Sequence, residues 1–328
     1  MRAIVLQEIR SLDNLALANV PAPNPDEDQV LIDTRAIGLN FPDLLVIAGK
    51  YQVLPPLPYI PGKELAGIVK SVGTKVTHIK PGDRVMALVE HGACAEEVIA
   101  PSANCYAIPA ELDFIDAAAM GIVYQTAHYA LFARGQLRSA EWVLVNGASG
   151  AVGIAALQLA KAHGARVLAG VRGASQAAVA REHGGEFIIR FDVPDLKNSL
   201  RDQVRKVTDG HGADVVIDPI GGDVFDASLR AMAWCGRLVV MGFMAGRIPD
   251  LKANYLLLKN ITVTGLQISD YRDRDPDGFR AVQEKLFALY LAGKIKPPVV
   301  ATYPLLQFQQ AFAHVQRSAQ GKVIMTID

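Results

Sequence analysis

Cysteine is scarce in this chain: there are three in 328 residues, Cys94, Cys105 and Cys235, and no two form a C-x-x-C pair. An odd number at such wide spacing excludes a disulfide framework and fits a reduced setting, with each thiol read as a small buried hydrophobe. An excess of either charge is also missing. The 33 lysines and arginines equal the 33 aspartates and glutamates, which counts against a general nucleic-acid or acidic-membrane binder while leaving room for a local basic patch. The apolar opening 1–6 is broken at once by Glu8 and Arg10, too short for a signal segment, and no later uncharged run reaches membrane-spanning length. A soluble, unexported, cytoplasmic protein is expected. The seven histidines have no metal-ligand spacing, no G-x-S-x-G elbow supports hydrolase chemistry, and there is no internal repeat or low-complexity segment.

What is present organises into two parts, as the length allows. The first third holds short β-type runs at 2–6, 29–36, 66–72, 84–88 and 95–99, broken by proline and glycine turns at 21–25, 55–61 and 81–83. This spacing predicts a compact β-barrel-like domain. A helical pattern over 116–134 marks the crossover into a second domain. From 142 to 265 strands alternate with helices. Strands are predicted at 142–146, 166–171, 186–189, 215–218, 237–241 and 261–265, and helices at 151–163, 175–183, 196–208 and 222–233. Six strands with alternating crossovers make an α/β, doubly wound parallel sheet, which binds ligands at the carboxyl ends of its strands. A helix over 279–291 and strands at 299–303 and 322–327 return the chain to the first domain.

One stretch stands out. The run Trp142-Val143-Leu144-Val145-Asn146 passes through Gly147-Ala148-Ser149-Gly150-Ala151-Val152-Gly153 into an apolar helical pattern. Small residues between a strand and a helix let the backbone approach a pyrophosphate, with the first N–H groups of the helix aimed at it. Ala148 replaces the usual first glycine, so the motif is A-x-x-G-x-x-G.

Together with this turn, Arg35-Ala36-Ile37-Gly38-Leu39-Asn40-Phe41-Pro42-Asp43, Pro61-Gly62-Lys63-Glu64-Leu65-Ala66-Gly67, Pro81-Gly82-Asp83-Arg84-Val85 and Gly321-Lys322-Val323 occur in an order and spacing that span nearly the whole chain. In these motifs the chain resembles the zinc-free quinone oxidoreductases of the medium-chain dehydrogenase/reductase superfamily, in particular the quinone oxidoreductase-like proteins. The resemblance implies a GroES-like β-barrel domain from 1–124 and 268–328, a Rossmann domain from 125–267 that carries NADPH, and an active site in the cleft between them. It also implies a homodimer joined through the outer Rossmann strand, 261–265.

Zinc ligands in the metal-dependent relatives fall where this chain has Asn40 and Lys63, both poor zinc ligands, and the cysteine-rich loop of a structural zinc is absent. No metal is therefore expected. The second Rossmann strand ends in Arg172, with no carboxylate before Glu182, which favours a ribose 2′-phosphate over free ribose hydroxyls and hence NADPH. Relatives place a lysine at Gln176 and a tyrosine at Phe191, both near the phosphate, so strict discrimination against NADH is in doubt. The resemblance also implies cofactor contacts from Asn40 and Thr126 at the nicotinamide and its ribose, and from Ala148, Ser149, Gly150, Ala151, Val152 and Gly153 at the pyrophosphate. Pro219, Ile220, Met241 and Phe243 would lie along the nicotinamide side. Asn40 and Tyr51 are the catalytic candidates. A phenol with a reference pKa near 10 can donate a proton or a hydrogen bond, or Tyr51 can simply line the cleft wall. The expected activity is hydride transfer to a quinone or similar activated alkene or carbonyl. Two alternatives stay open: reduction of an enoyl thioester or 2-alkenal, and NADPH binding with little turnover in a structural, RNA-binding or partner-binding protein.

Overall fold

In a computed structural model, residues 1–317 and 320–327 are described; Ser318, Ala319 and Asp328, which fall in the expected 268–328 segment, lie outside the described residues. The chain divides into two compact units, 1–122 with 272–328 and 123–271. The borders anticipated from sequence, 124/125 and 267/268, differ by a few residues. Both true borders fall inside helices, where the sequence carries no turn signal.

The first unit contains β1 (Arg2–Leu6), β2 (Leu15–Asn19), β3 (Gln29–Leu39), α1 (Phe41–Ile47), β4 (Glu64–Val72), β5 (Arg84–Leu88), β6 (Glu97–Pro101), β7 (Cys105–Ala107) and most of α2 (Phe114–His128). The second contains β8 (Trp142–Asn146), α3 (Ala151–Ala162), β9 (Arg166–Val171), α4 (Gly173–Glu182), β10 (Phe187–Arg190), α5 (Leu196–Val207), β11 (Ala213–Asp218), α6 (Gly222–Ala231), β12 (Met232–Val240), α7 (Asn254–Lys259) and β13 (Thr262–Gly265). Helix α8 (Ile268–Arg274) leads back to α9 (Pro276–Leu291), β14 (Val299–Pro304), α10 (Phe308–Gln316) and β15 (Lys322–Thr326).

In the second unit six strands run parallel in the order β10-β9-β8-β11-β12-β13. The chain moves outward from β8 through β10 and then returns to β11 on the other side. The β8/β11 boundary is therefore the point where strand order reverses, the place at which open α/β sheets bind ligands. β8 is buried along almost its whole length because helices cover both faces of a parallel sheet. Helix α3 is buried from Gly153 through Ala160 and carries a nearly unbroken small apolar sequence. Helix α5 buries only Leu200 and Val204, one turn apart on one face, and its charged remainder faces water.

In the first unit the sheet path is β14-β15-β3-β4-β5-β7, with β6 also paired to β3. β15, from the end of the chain, lies antiparallel to β3, pairing Val323 with Leu39 and Ile324 with Gly38. Helix α10 lies on β14 and β15, and its Phe308 and Phe312 join Ile4, Leu6, Ile37 and Met325 in the core.

Several boundaries moved, and β12 moved furthest. It begins at Met232 directly after α6, whereas the sequence pattern predicts helix to 233 and strand from 237. β11 pairs Ala213 with Met232 and then Val215 with Arg237, so 233–236 loop out of register, with Cys235 at φ +58°. Such a bulge has no apolar periodicity to reveal it. Helix α1 is too short for a periodic signal, although Pro42 in its first turn is compatible with a helix start.

Candidate active site

The turn after β8 is built by close backbone approach. Gly147 has φ +67°, a conformation that side chains disfavour, and a Cβ there would meet the Ile220 side chain at 3.1 Å. At Gly153 a Cβ would stand 2.2 Å from the Gly147 carbonyl oxygen, so the third small-residue position admits only hydrogen. Within the turn, Ala148 N–H donates to Gly170 O at 3.0 Å and Gly150 N–H to Gly147 O at 3.0 Å. Gly150 caps α3, and Ile154 N–H is the first to return a bond, 2.8 Å to Gly150 O. The amides of Ala151, Val152 and Gly153 therefore have no acceptor within the helix and form the anion-facing end of α3. This glycine-walled cradle fits a dinucleotide pyrophosphate.

Two further loops close on the same edge. Asp218, fully buried at the end of β11, accepts N–H bonds from Ile220 (3.2 Å) and Gly221 (3.2 Å) and an amide bond from Asn146 (3.0 Å), which also donates to Ser228 Oγ at 3.0 Å. Burial raises the Asp218 carboxyl above its usual range, opposed by these donors. Its role is to shape the 219–221 turn. The loop after β12 then bonds to it: Met241 N–H to Asp218 O (2.9 Å), Met244 N–H to Pro219 O (3.2 Å) and Ala245 N–H to Ile220 O (2.9 Å). Pro219, Ile220, Met241 and Phe243 thus join the 147–153 turn at one end of the sheet. Thr126 lies half-buried in α2.

At the ends of β9 and β10 the picture differs from the expectation for Phe191. Its ring is 6 % exposed and fills the space over Gly170, where a Cβ would come within 2.2 Å of it. Arg172 is exposed and caps α4, with the Gln176 side chain accepting its backbone N–H at 2.7 Å.

In the first unit a buried charged cluster surrounds Asn40, at the junction of β3 and α1. Asn40 donates through Nδ2 to Glu64 Oε1 (2.9 Å) and to Gly38 O (3.2 Å), and its Oδ1 accepts from Lys322 Nζ at 2.6 Å. Both amide hydrogens are consumed, so one oxygen lone pair is all that remains for a bound molecule. Asn40 can accept from a ligand here, but it cannot donate. Lys322 also bonds Glu64, and each of these two side chains is 1 % exposed. The other Glu64 oxygen takes Ile122 N–H at 2.8 Å. Gly38 and Gly121 give this carboxylate room, since a Cβ on either would lie within 2.8 Å of a Glu64 oxygen.

Asp43 completes the cluster. Its Oδ2 accepts Asn40 N–H at 2.8 Å, and its Oδ1 is buried with no partner among the described residues. Burial pushes the carboxyl up to about 6, against the Asn40 bond and the positive charges of Lys63 and Lys322.

Tyr51 is half-buried, and the Lys63 ammonium stands 5.2 Å from its ring centre. Lys63 in turn bonds Glu90 O (2.9 Å) and its carboxylate (3.1 Å), and Glu90 also pairs with Arg272. Burial works against the charge on Glu90, but Arg272 and Lys63 hold its carboxyl below the usual range.

Sequence reading proposed Asn40 and Tyr51 as site residues and did not anticipate the side chains around them. Glu64 and Lys322 meet Asn40 from 24 and 282 residues away, beyond any local pattern. Asp43 had a signal in the N-x-x-D spacing at a helix start. A zinc ion does not fit the donor set, because the Lys322 ammonium lies against the oxygens of Asn40 and Glu64 that a metal would need. Among the described residues no group of three His, Cys, Asp or Glu side chains could hold a metal ion.

Comparison with known proteins agrees with this architecture. Residues 26–144 match the alcohol dehydrogenase GroES-like domain, and residues 151–284 match the family described as zinc-binding dehydrogenase. A quinone oxidoreductase-like protein 2 homolog of Nematostella vectensis is 37% identical over 92% of this chain and 82% of that protein. The structure of Escherichia coli quinone oxidoreductase complexed with NADPH superposes with a TM-score of 0.90 at 29% identity, covering 99% of this chain and 100% of that one. The CurK enoyl reductase gives 0.88 at 25% identity, covering 100% and 99%. With its glycine-walled turn at the strand-order reversal and a relative this similar over most of both lengths, the chain belongs to the quinone oxidoreductase-like proteins of the medium-chain dehydrogenase/reductase superfamily.

Proposed function

We propose that the protein is an NADPH-dependent, zinc-independent reductase that passes hydride to a quinone or a similar activated alkene or carbonyl. The observation that carries this reading is the 147–153 turn, where Gly153 admits no side chain and the free amides of α3 lie at the strand-order reversal. NADPH, when bound, supplies the hydride. The free backbone N–H groups of Ala151, Val152 and Gly153 would hold its pyrophosphate, with Ala148, Ser149 and Gly150 giving the close backbone approach, and the Arg172 guanidinium would meet the 2′-phosphate. Pro219, Ile220, Met241 and Phe243 line the nicotinamide side, with Thr126 near its ribose. Asn40, with one acceptor lone pair left, takes a ribose hydroxyl or the carboxamide N–H. The Lys322 ammonium lies against the oxygens that a metal would need there, so the chain's contribution is positioning.

Quinone reduction needs no placed acid, since the oxyanion is delocalised and solvent protonates it. Tyr51 adds a second reading, reduction of an enoyl thioester or 2-alkenal, because a carbon that takes up a proton benefits from a phenol held in place by a neighbouring cation. The CurK enoyl reductase among the structural neighbours supports that alternative. Oxidation of NADPH at 340 nm with a panel of quinones, enones and enoyl thioesters separates the two. Tight NADPH binding with no turnover on any acceptor would overturn both.

We also infer a homodimer through β13. It is the outer strand of its sheet and carries exposed Thr262 and Gly265, and Leu257 and Leu258 of the preceding α7 are each at least two-thirds exposed. Sedimentation at micromolar concentration checks this, and a monomer would refute it. Free Cys94, Cys105 and Cys235 fit a reducing, cytoplasmic setting, and among the described residues no helix is long and apolar enough to cross a membrane.

A further inference from the structure

The chain ends of β9 and β10 lie side by side: Arg190 is in register with Val171, and Phe191 N–H donates to Val171 O at 2.9 Å. With the Phe191 ring turned inward over Gly170, its neighbours Arg190 and Asp192 point outward. They form a two-pronged ion pair, Nε to Oδ1 at 2.7 Å and Nη2 to Oδ2 at 2.5 Å. The Asp192 carboxylate also lies near the N–H of Gly173, the first residue of α4. Arg190 first, and then this amide, hold its carboxyl well below the usual range. An anionic side chain therefore already occupies the helix end beside Arg172, and a guanidinium covers that anion from the other side.

We propose that Asp192 is an internal anion at the ribose 2′-phosphate subsite, and that its neutralisation by Arg190 sets how far this chain prefers NADPH over NADH. The inference rests on the reading that Arg172 receives the 2′-phosphate. A carboxylate at this place accepts from a free ribose hydroxyl and repels a phosphate. Paired with Arg190 it contributes no net charge, so Arg172 alone decides the sign. Loss of Arg190 exposes the repulsion. Loss of the Asp192 charge frees Arg190 as a second cation for the phosphate.

The test is equilibrium titration of the full chain with NADPH and NADH by calorimetry, with unfolding temperature as a check on integrity. Asp192→Asn, which keeps size and acceptor oxygen, tightens NADPH about three- to tenfold and leaves NADH within about twofold, as expected for a partly exposed charge. Arg190→Met weakens NADPH by a similar factor and spares NADH, and Arg190→Gln does the same if the Met variant is unstable. Raising the salt concentration shrinks both effects. Equal changes for the two cofactors would reduce the pair to a structural clamp and overturn the proposal. Arg172→Ala separates the two levels. A selective loss of NADPH there, with no selectivity change at 190 and 192, sinks this inference alone. An equal loss of both cofactors in Arg172→Ala removes the subsite reading and this inference with it.

Discussion

The 147–153 turn of the second unit and the buried cluster of the first both present polar groups, and they do so by opposite means. The turn uses main chain: amides of 151–153, a left-handed Gly147 and a Gly153 with 2.2 Å of clearance. It spends no charged side chain and depends on the absence of atoms. The Asn40 cluster uses buried acidic and basic side chains, Asp43, Glu64 and Lys322, and depends on the hydrogen bonds that join them to Asn40 and to one another. The first arrangement tolerates changes of side-chain chemistry and no change of size; the second does not tolerate loss of one member of the Glu64–Lys322 pair and responds to the protonation of Asp43.

Four measurements can break or sharpen that contrast. The largest effect is expected from Lys322→Met, which leaves Glu64 buried without its ammonium and destabilises the protein by about 3–5 kcal/mol in denaturant titrations. Adding Glu64→Gln to it should restore part of that loss, whereas a double variant no better than the single would show that the pair does not act as a unit. Next is Asp43→Asn. The folded carboxyl takes its proton near 6 instead of the ordinary 3.8, so the stability it contributes is full below about pH 4 and is lost as pH rises through 6. Wild type should therefore lose roughly 2 kcal/mol relative to Asp43→Asn between pH 4 and 7, and parallel pH profiles would refute this.

In the turn, Gly153→Ala should weaken NADPH binding about a hundredfold by calorimetry, because the added methyl meets backbone that cannot swing away. The smallest effect is expected at Ser149→Ala, where loss of a hydroxyl should change the same dissociation constant by less than about threefold. A large Ser149 effect would mean that the turn also binds through side chains, and the contrast with the Asn40 cluster would fail.

Legibility followed the same division. Strand, small-residue turn and helix around 142–160 are consecutive, so apolar runs and glycines announce them locally. The alternation through 265 carried the parallel sheet and its strand-order reversal. By contrast, β12 absorbed four looped-out residues at 233–236 that no periodicity marks, and Phe191, placed beside a phosphate by analogy, turned inward because Gly170 left a hole for it.

What the sequence by itself determined is the order of elements, the two-part organisation and the nucleotide turn, since each is written in neighbours a few residues apart. Tertiary structure alone decided that Lys322 would reach Asn40 and Glu64, that both Asn40 amide hydrogens would be spent, and that the end of β10 with Asp192 would come beside the end of β9. Those pairings depend on strand register between segments up to 282 residues apart, and in a buried site a charge is defined by the partner that register delivers to it.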